Sequence, residues 1–197
     1  MINDIPERPK GMIIRPEEIK PIVESIRSVD VCQFLVFGCG NDSPFWAKVN
    51  PFGRTAFLEN YDNWIQKTKE NNKNLNLEIH KVEYKTTLSK WKEYYEEEDL
   101  SFLEIDLPDV ISNTKWDVIL VDSPVGRETR THFKVYRKHA LGRMSSIYMA
   151  DKLIKPNGTV YIHDITREAE RHFGDRIFGK DNLQLKVSYL GKYIKKV

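Results

Sequence analysis

Apolar residues along this chain fall into short blocks, and the spacing inside each block says what the block is. Residues 1–15, with Pro6 and Pro9, read as an extended arm. Pro16, Glu17 and Glu18 then open a helix, because proline suits the first helical position and acids suit the positive end of the helix dipole. Ile19, Ile22, Val23 and Ile26 recur at helical spacing and mark its buried face. Phe34-Leu35-Val36-Phe37 is continuous rather than periodic and stops at Gly38, as a parallel strand covered on both faces does. A polar string from Gly38 to Ser43 breaks it. Pro44 to Lys48 begin the next helix, with Ser43 as its cap. Arg54 to Leu58, closed by Glu59, is a second strand, and a helix follows from about Asp62 to Asn71. Leu77 to Tyr84 reads as a third strand on weak alternation. Trp91 to Glu98 fits a helix with a solvated acidic end at Glu96-Glu97-Glu98-Asp99. Trp116 to Val121 is a strand ending at Asp122-Ser123-Pro124, and a polar, basic segment runs from Val125 to His139. Gly142 to Ile154 reads as a helix and Pro156-Asn157-Gly158 as a turn. Thr159 to Ile162 is a strand ending at His163-Asp164, and Arg167 to Phe173 form a charged helix. Gln184 to Tyr189 and Lys192 to Lys196 make two last strands around Leu190-Gly191.

Strands alternating with helices imply a parallel sheet with helices on both faces. A terminal antiparallel hairpin on such a sheet is the pattern of class I methyltransferases. The expected fold is therefore α/β, a Rossmann-like, mostly parallel sheet in one domain over residues 1–197. A length of 197 residues suffices for one domain with a real core. The net charge of +2 comes without a dense basic stripe, so no nucleic-acid partner is expected. Lys192, Lys195 and Lys196 read as a solvated end. Cys32 and Cys39 provide no disulfide framework and read as reduced thiols of a cytoplasmic protein. No apolar run has the length of a membrane span, and the first residues lack the pattern of a signal peptide. The oligomeric state is not legible.

Open α/β sheets bind ligands beyond the carboxyl ends of their strands. The first strand end carries Gly38-x-Gly40-x-Asp42-Ser43. Glycines there let backbone approach a ligand, although an ordinary turn would look the same. Glu59 closes the second strand 19 residues after Gly40, where an acid accepts hydrogen bonds from ribose hydroxyls. The plainer alternative is a surface glutamate. The two features in register favour a nucleoside. NAD and S-adenosylmethionine both use this geometry. The missing third glycine and the terminal hairpin favour S-adenosylmethionine.

Several strings carry a more specific likeness. They are Asn41-Asp42-Ser43, Gly53-Arg54-Thr55-Ala56-Phe57-Leu58-Glu59, Trp116 through Gly126, Gly142-Arg143-Met144-Ser145-Ser146-Ile147-Tyr148, and His163-Asp164-Ile165-Thr166-Arg167-Glu168. Through them the chain, from about residue 18 to 197, resembles the polysaccharide-biosynthesis domain family of glucuronoxylan 4-O-methyltransferase-like proteins. The resemblance implies methylation of a hydroxyl on a glucuronic acid unit of a glycan. The plant members are Golgi-anchored, whereas no anchor is visible here. Residues 127–141 replace a shorter loop in that family and should border the acceptor.

Methyl transfer from a sulfonium needs in-line positioning of the acceptor oxygen and a base for its proton. Asp122 and Asp164 end two strands and should share one cleft, with His163 beside them. Asp164 or His163 is the expected base. Asp122 and Asp164 could instead hold a divalent cation, as in catechol-type enzymes, since carboxylates suit hard ions. Asp122 could also merely cap the following turn. An anionic acceptor calls for cations, and Arg143, Arg127, Arg130 and Arg167 are candidates, because arginine grips carboxylates in bidentate fashion. Tyr148 shares the Arg143 helix and is a further candidate for the acceptor. Tyr84 is placed against adenine or in the core, and Trp46 in the core. His80, His132, His139 and His172 read as surface histidines. The rivals to a glycan O-methyltransferase are a metal-dependent small-molecule enzyme and a non-catalytic glycan-biosynthesis module.

Overall fold

The structure, a computed structural model, describes residues 5–124 and 140–196. Arg127, Arg130, His132 and His139 lie outside the described residues. The elements run α1 (Pro16–Arg27), β1 (Gln33–Phe37), α2 (Ser43–Val49), β2 (Arg54–Glu59), α3 (Asp62–Asn71), β3 (Glu78–Lys81), α4 (Trp91–Glu96) and α5 (Asp109–Ser112). Then follow β4 (Trp116–Val121), α6 (Met144–Leu153), β5 (Ile154–His163), α7 (Glu168–Phe178), β6 (Leu183–Val187) and β7 (Leu190–Ile194). Seven strands form one sheet in the order β3-β2-β1-β4-β5-β7-β6. All pairings are parallel except those of β7 with β5 and β6. This is the Rossmann-like arrangement expected from the alternation. No helix among the described residues is long and apolar enough to cross a membrane.

The continuous apolar runs are explained by two cores. Alternate residues of a strand point to opposite faces. Phe34, Val36, Phe57, Val118 and Leu120 face α1 and α2, where they meet Ile22, Ile26 and Trp46. Leu35, Phe37, Leu58, Ile119, Val121 and Ile162 face the other way, against Ile147, Ala150, Leu153 and Phe173. Trp46 is fully buried, as expected, with its ring edge-on to Phe34 and Phe45.

Four boundaries differ from expectation, each for a physical reason. Pro156-Asn157-Gly158 is not a turn but a bulge within β5. Asn157 takes φ 62°, yet its N–H donates to Lys195 O at 2.8 Å and Gly158 O accepts from Lys195 N–H, so the strand continues. The hairpin turn is not at Leu190-Gly191, both of which lie in β7, but at Ser188 (φ 50°) and Tyr189. Gly191 is there for close packing: a Cβ on it would stand 2.8 Å from Ile165 Cγ1. α7 runs past Phe173 to Phe178 because Gly174 does not end it. A Cβ at Gly174 would meet the Tyr193 hydroxyl at 2.9 Å. β3 stops at Lys81, and the chain then leaves the sheet. Thr86 Oγ1 donates to Leu141 O and Leu88 N–H to Ala140 O, which ties this stretch to the entry of α6.

Candidate active site

At the end of β1, Gly38 takes φ 121°, a conformation open to glycine. A side chain on it would press within 3.0 Å of Ser123 Cβ, so β1 and the end of β4 approach closely here. Gly40, by contrast, faces open space apart from Asp42. Asp42, not Ser43, occupies the cap position of α2, and it makes no capping hydrogen bond. Its carboxylate accepts from Trp46 Nε1 at 3.0 Å instead. Burial and then the charge of Asp122 push its pKa up to about 6. Ser43 is fully buried, and its hydroxyl accepts from Gly40 N–H at 2.9 Å, so it closes the loop from inside.

Glu59 ends β2 beside this loop. Its Oε1 accepts the N–H groups of Asn60 and Tyr61, at 2.8 and 2.9 Å, and Oε2 accepts that of Cys39 at 3.2 Å. Burial raises its pKa against these bonds. The carboxylate is thus fixed in place at the rim of the glycine loop, where a ribose would lie. We expect Glu59→Ala to weaken S-adenosylmethionine binding by about 1.5–3 kcal/mol, the usual contribution of charge-assisted hydrogen bonds. Titration calorimetry checks this, and unchanged donor affinity in a folded variant removes the ribose assignment. Tyr84 stands nearby. Its hydroxyl accepts from Ser146 Oγ at 3.0 Å, and burial raises its pKa, with the charges of Glu59 and Arg143 both acting on it.

β4 and β5 pair in parallel with Val121 opposite Ile162, which sets Asp122 beside His163 and Asp164. Asp164 itself takes φ 62°, which aspartate tolerates better than most residues. His163 Nδ1 is 2.9 Å from Asp122 Oδ1 and 3.6 Å from Asp164 Oδ2. Burial alone would lower the pKa of His163, but its hydrogen bonds to the two aspartates outweigh that and hold it up to about 10. Burial would likewise raise Asp164, but His163, Arg143 and Arg167 hold it down to about 2. The two aspartates thus favour the protonated form of His163, which points to Asp164 of the two expected candidates for the base.

Arg143 differs most from expectation. It is 5% exposed and lies beneath the two carboxylates instead of reaching toward an acceptor. Nη2 pairs with Asp122 Oδ1 at 3.0 Å and Asp164 Oδ2 at 3.1 Å. Nη1 donates to His163 O at 2.6 Å and Nε to Pro124 O at 3.3 Å. Its fork is filled from within the protein, an arrangement that orders the cluster. Arg167 is also engaged, pairing with Asp164 Oδ2 at 2.7 Å and approaching Glu170 Oε1 at 3.6 Å. Tyr148 lies further along α6 with the Lys152 ammonium 5.2 Å above its ring, and nothing places it in the cluster. His80 pairs with Glu78, and His172 with the Glu168 carbonyl, as surface residues do.

Two acids of the site were missed. Glu18 is wholly buried at the start of α1. Its Oε2 lies 3.5 Å from His163 Nε2, and its oxygens also accept the N–H groups of Arg15 and Tyr189. In the sequence it looks like an ordinary acid in a first helical turn. Glu170 is 1% exposed, and neither of its oxygens has a hydrogen-bond partner among the described residues. Burial raises its pKa while Arg143 opposes this. Because Glu18 and Asp122 grip opposite edges of the His163 ring, we expect Glu18→Gln to lower kcat by up to about 100-fold with little change in donor affinity. Steady-state kinetics check this. Wild-type kcat in a folded variant would show that Glu18 only anchors α1.

Asp122, His163 and Asp164 each offer a ligand atom, and these atoms lie within 4.8 Å of one another. The ion pairs run through Asp122 Oδ1 and Asp164 Oδ2, and each carboxylate keeps a second oxygen. Those second carboxylate oxygens suit a hard divalent cation, whereas the His163 ring, favoured in its protonated form, does not serve as a ligand.

Comparison with known proteins agrees with the topology. A family model described as IRX15/IRX15L/GXM matches residues 17–101 and 94–193. Arabinogalactan O-methyltransferase 2 of Arabidopsis thaliana is 31% identical over 199 residues, covering 89% of this chain and 64% of the relative. Glucuronoxylan 4-O-methyltransferase 2 of the same plant is 36% identical over 161 residues, covering 72% of this chain and 52% of the relative. The chain thus spans about half to two thirds of the length of these curated relatives. Among solved structures, a T. Thermophilus rRNA methyltransferase in complex with AdoMet and guanosine superposes with a TM-score of 0.52 at 16% identity, over 95% of this chain and 44% of that one. That likeness shows the fold, a Rossmann-like class I methyltransferase sheet. With the family match running from α1 to β7, the chain belongs to the IRX15/IRX15L/GXM family.

Proposed function

We propose that this chain is an S-adenosylmethionine-dependent O-methyltransferase acting on a hydroxyl of a hexuronic-acid unit in a glycan. The names of its relatives support glycan O-methylation. The observation that carries the reading is the charge at the strand ends. Among the described residues, Glu18, Asp122, Asp164 and Glu170 face three cations, Arg143, Arg167 and His163, and Asp42 adds a further acid. That excess of acids among the described residues, at the end of β4 and β5 beside a glycine loop and Glu59, suits a cationic sulfonium.

The donor supplies an electrophilic methyl group. Gly38 and Gly40 let backbone approach it, and Glu59 takes the ribose hydroxyls. As the methyl moves, positive charge passes from sulfur to the acceptor oxygen. Asp164 and Asp122 stabilise that charge, and Asp164 takes the proton. A carboxylate held near pKa 2 is a weak base, yet the protonated ether it must deprotonate is a far stronger acid. A divalent cation on Asp122 and Asp164 would lower the pKa of the acceptor hydroxyl. A reducing, cytoplasmic setting belongs to the same proposal, in keeping with the free thiols Cys32 and Cys39.

Calorimetry with S-adenosylmethionine alone separates an enzyme from a non-catalytic module. Saturable one-site binding is expected, and the absence of binding heat across temperatures would overturn the reading.

A further inference from the structure

A groove of about 590 Å³ lies between α7, α4 and β6, away from the glycine loop. Among the described residues, Arg171, Arg176, Lys180 and Lys186 line it, with Asp175 as the one carboxylate in its wall. Four cations against one acid is a larger excess than the +2 of the whole chain. Asp175 already accepts a hydrogen bond from the Tyr193 hydroxyl at 2.8 Å. Arg176 is structural: its guanidinium donates to the carbonyls of Tyr95, Glu97 and Glu98. The side chains of Arg171, Lys180 and Lys186 are exposed and make no hydrogen bond or ion pair with the described residues. Like charges held around one concavity repel one another, and focus their field on whatever anion enters.

We propose that this groove binds the carboxylate-bearing stretch of an anionic glycan chain. The class of ligand rests on the function proposed above. Two further features fit a glycan. The wall includes the rings of Tyr95 and His172, 5.3 Å apart, with Trp91 equally close to His172. Flat rings of this kind cover the apolar faces of sugars while the cations meet their carboxylates. Ile165, which lines the groove, directly follows Asp164 in the chain. A glycan lying along α7 would have the carboxylates of successive units held by Arg171, Lys180 and Lys186. The site then prefers a polymer to a single sugar.

The test is equilibrium binding, measured by fluorescence anisotropy on the full chain. The probes are a labelled xylo-oligosaccharide bearing glucuronic acid and its neutral counterpart of equal length. The uronate probe should bind more tightly, and high salt should erase the difference. The triple variant Arg171→Glu, Lys180→Glu, Lys186→Glu should lose about tenfold or more of that affinity while Tm and donor affinity hold. Wild-type affinity in the triple variant overturns the proposal. Equal competition by inorganic polyphosphate makes the groove a general polyanion surface and overturns the glycan assignment. If no acceptor is methylated by the wild type yet the triple variant still loses the uronate probe, the enzymatic reading falls and the groove stands.

Discussion

Replacing Asp164 by asparagine should cut methyl transfer by about 10²–10⁴-fold while leaving donor affinity near wild type. Asp164 ends β5 next to Asp122 at the end of β4, and its Oδ2 meets Arg143, Arg167 and the His163 ring. An amide nearly matches the carboxylate in shape. It can neither take the acceptor proton nor balance a cation on the oxygen. The matching change Asp122→Asn separates the two acids. A fully active Asp164 variant beside a dead Asp122 variant would move the base to Asp122. Assays with added divalent cations and with chelator belong to the same experiment. Activity that follows the metal in the wild type, and a variant restored by excess metal, would make Asp164 a ligand.

Replacing Arg143 by methionine should lower stability by about 3–5 kcal/mol, the range for removing one partner of a buried ion pair. Asp122 and Asp164 would lose their shared counter-charge, and the carbonyls of His163 and Pro124 would lose their donors. Domains of this kind are stable by only about 5–15 kcal/mol, so the change should be plain in a denaturant midpoint. Arg143→Lys keeps the charge but not the fork, and should fall between. An unaltered midpoint with a raised acceptor KM would instead make Arg143 the uronate clamp that its sequence position suggests.

Much of the fold was legible because burial on both faces leaves a mark in sequence. Phe34 to Phe37 and Val118 to Val121 are continuous apolar runs, and both lie in strands whose alternate residues enter two cores. Asp122, His163 and Asp164 could be placed because chemistry gathers at strand ends. Two of the misplaced boundaries involve glycines with two uses. Gly174 and Gly191 look like breaks in an element, but each makes room for a neighbour, Tyr193 or Ile165. Which charges pair across the fold was not legible. Arg143 is 21 residues from each aspartate it holds, and no periodicity encodes that contact. Glu18 reaches a histidine at the far end of the chain from a position that helix-dipole arguments already explain.

The most direct measurement is methyl transfer itself. The purified chain is incubated with methyl-labelled S-adenosylmethionine and a panel of oligosaccharides, with and without uronic acid, and the product is located by NMR. The account predicts label as a methyl ether on a hydroxyl of the uronic acid unit, and none on the neutral oligosaccharides. Label on the neutral sugars at an equal rate, or on the carboxyl as an ester, would contradict it.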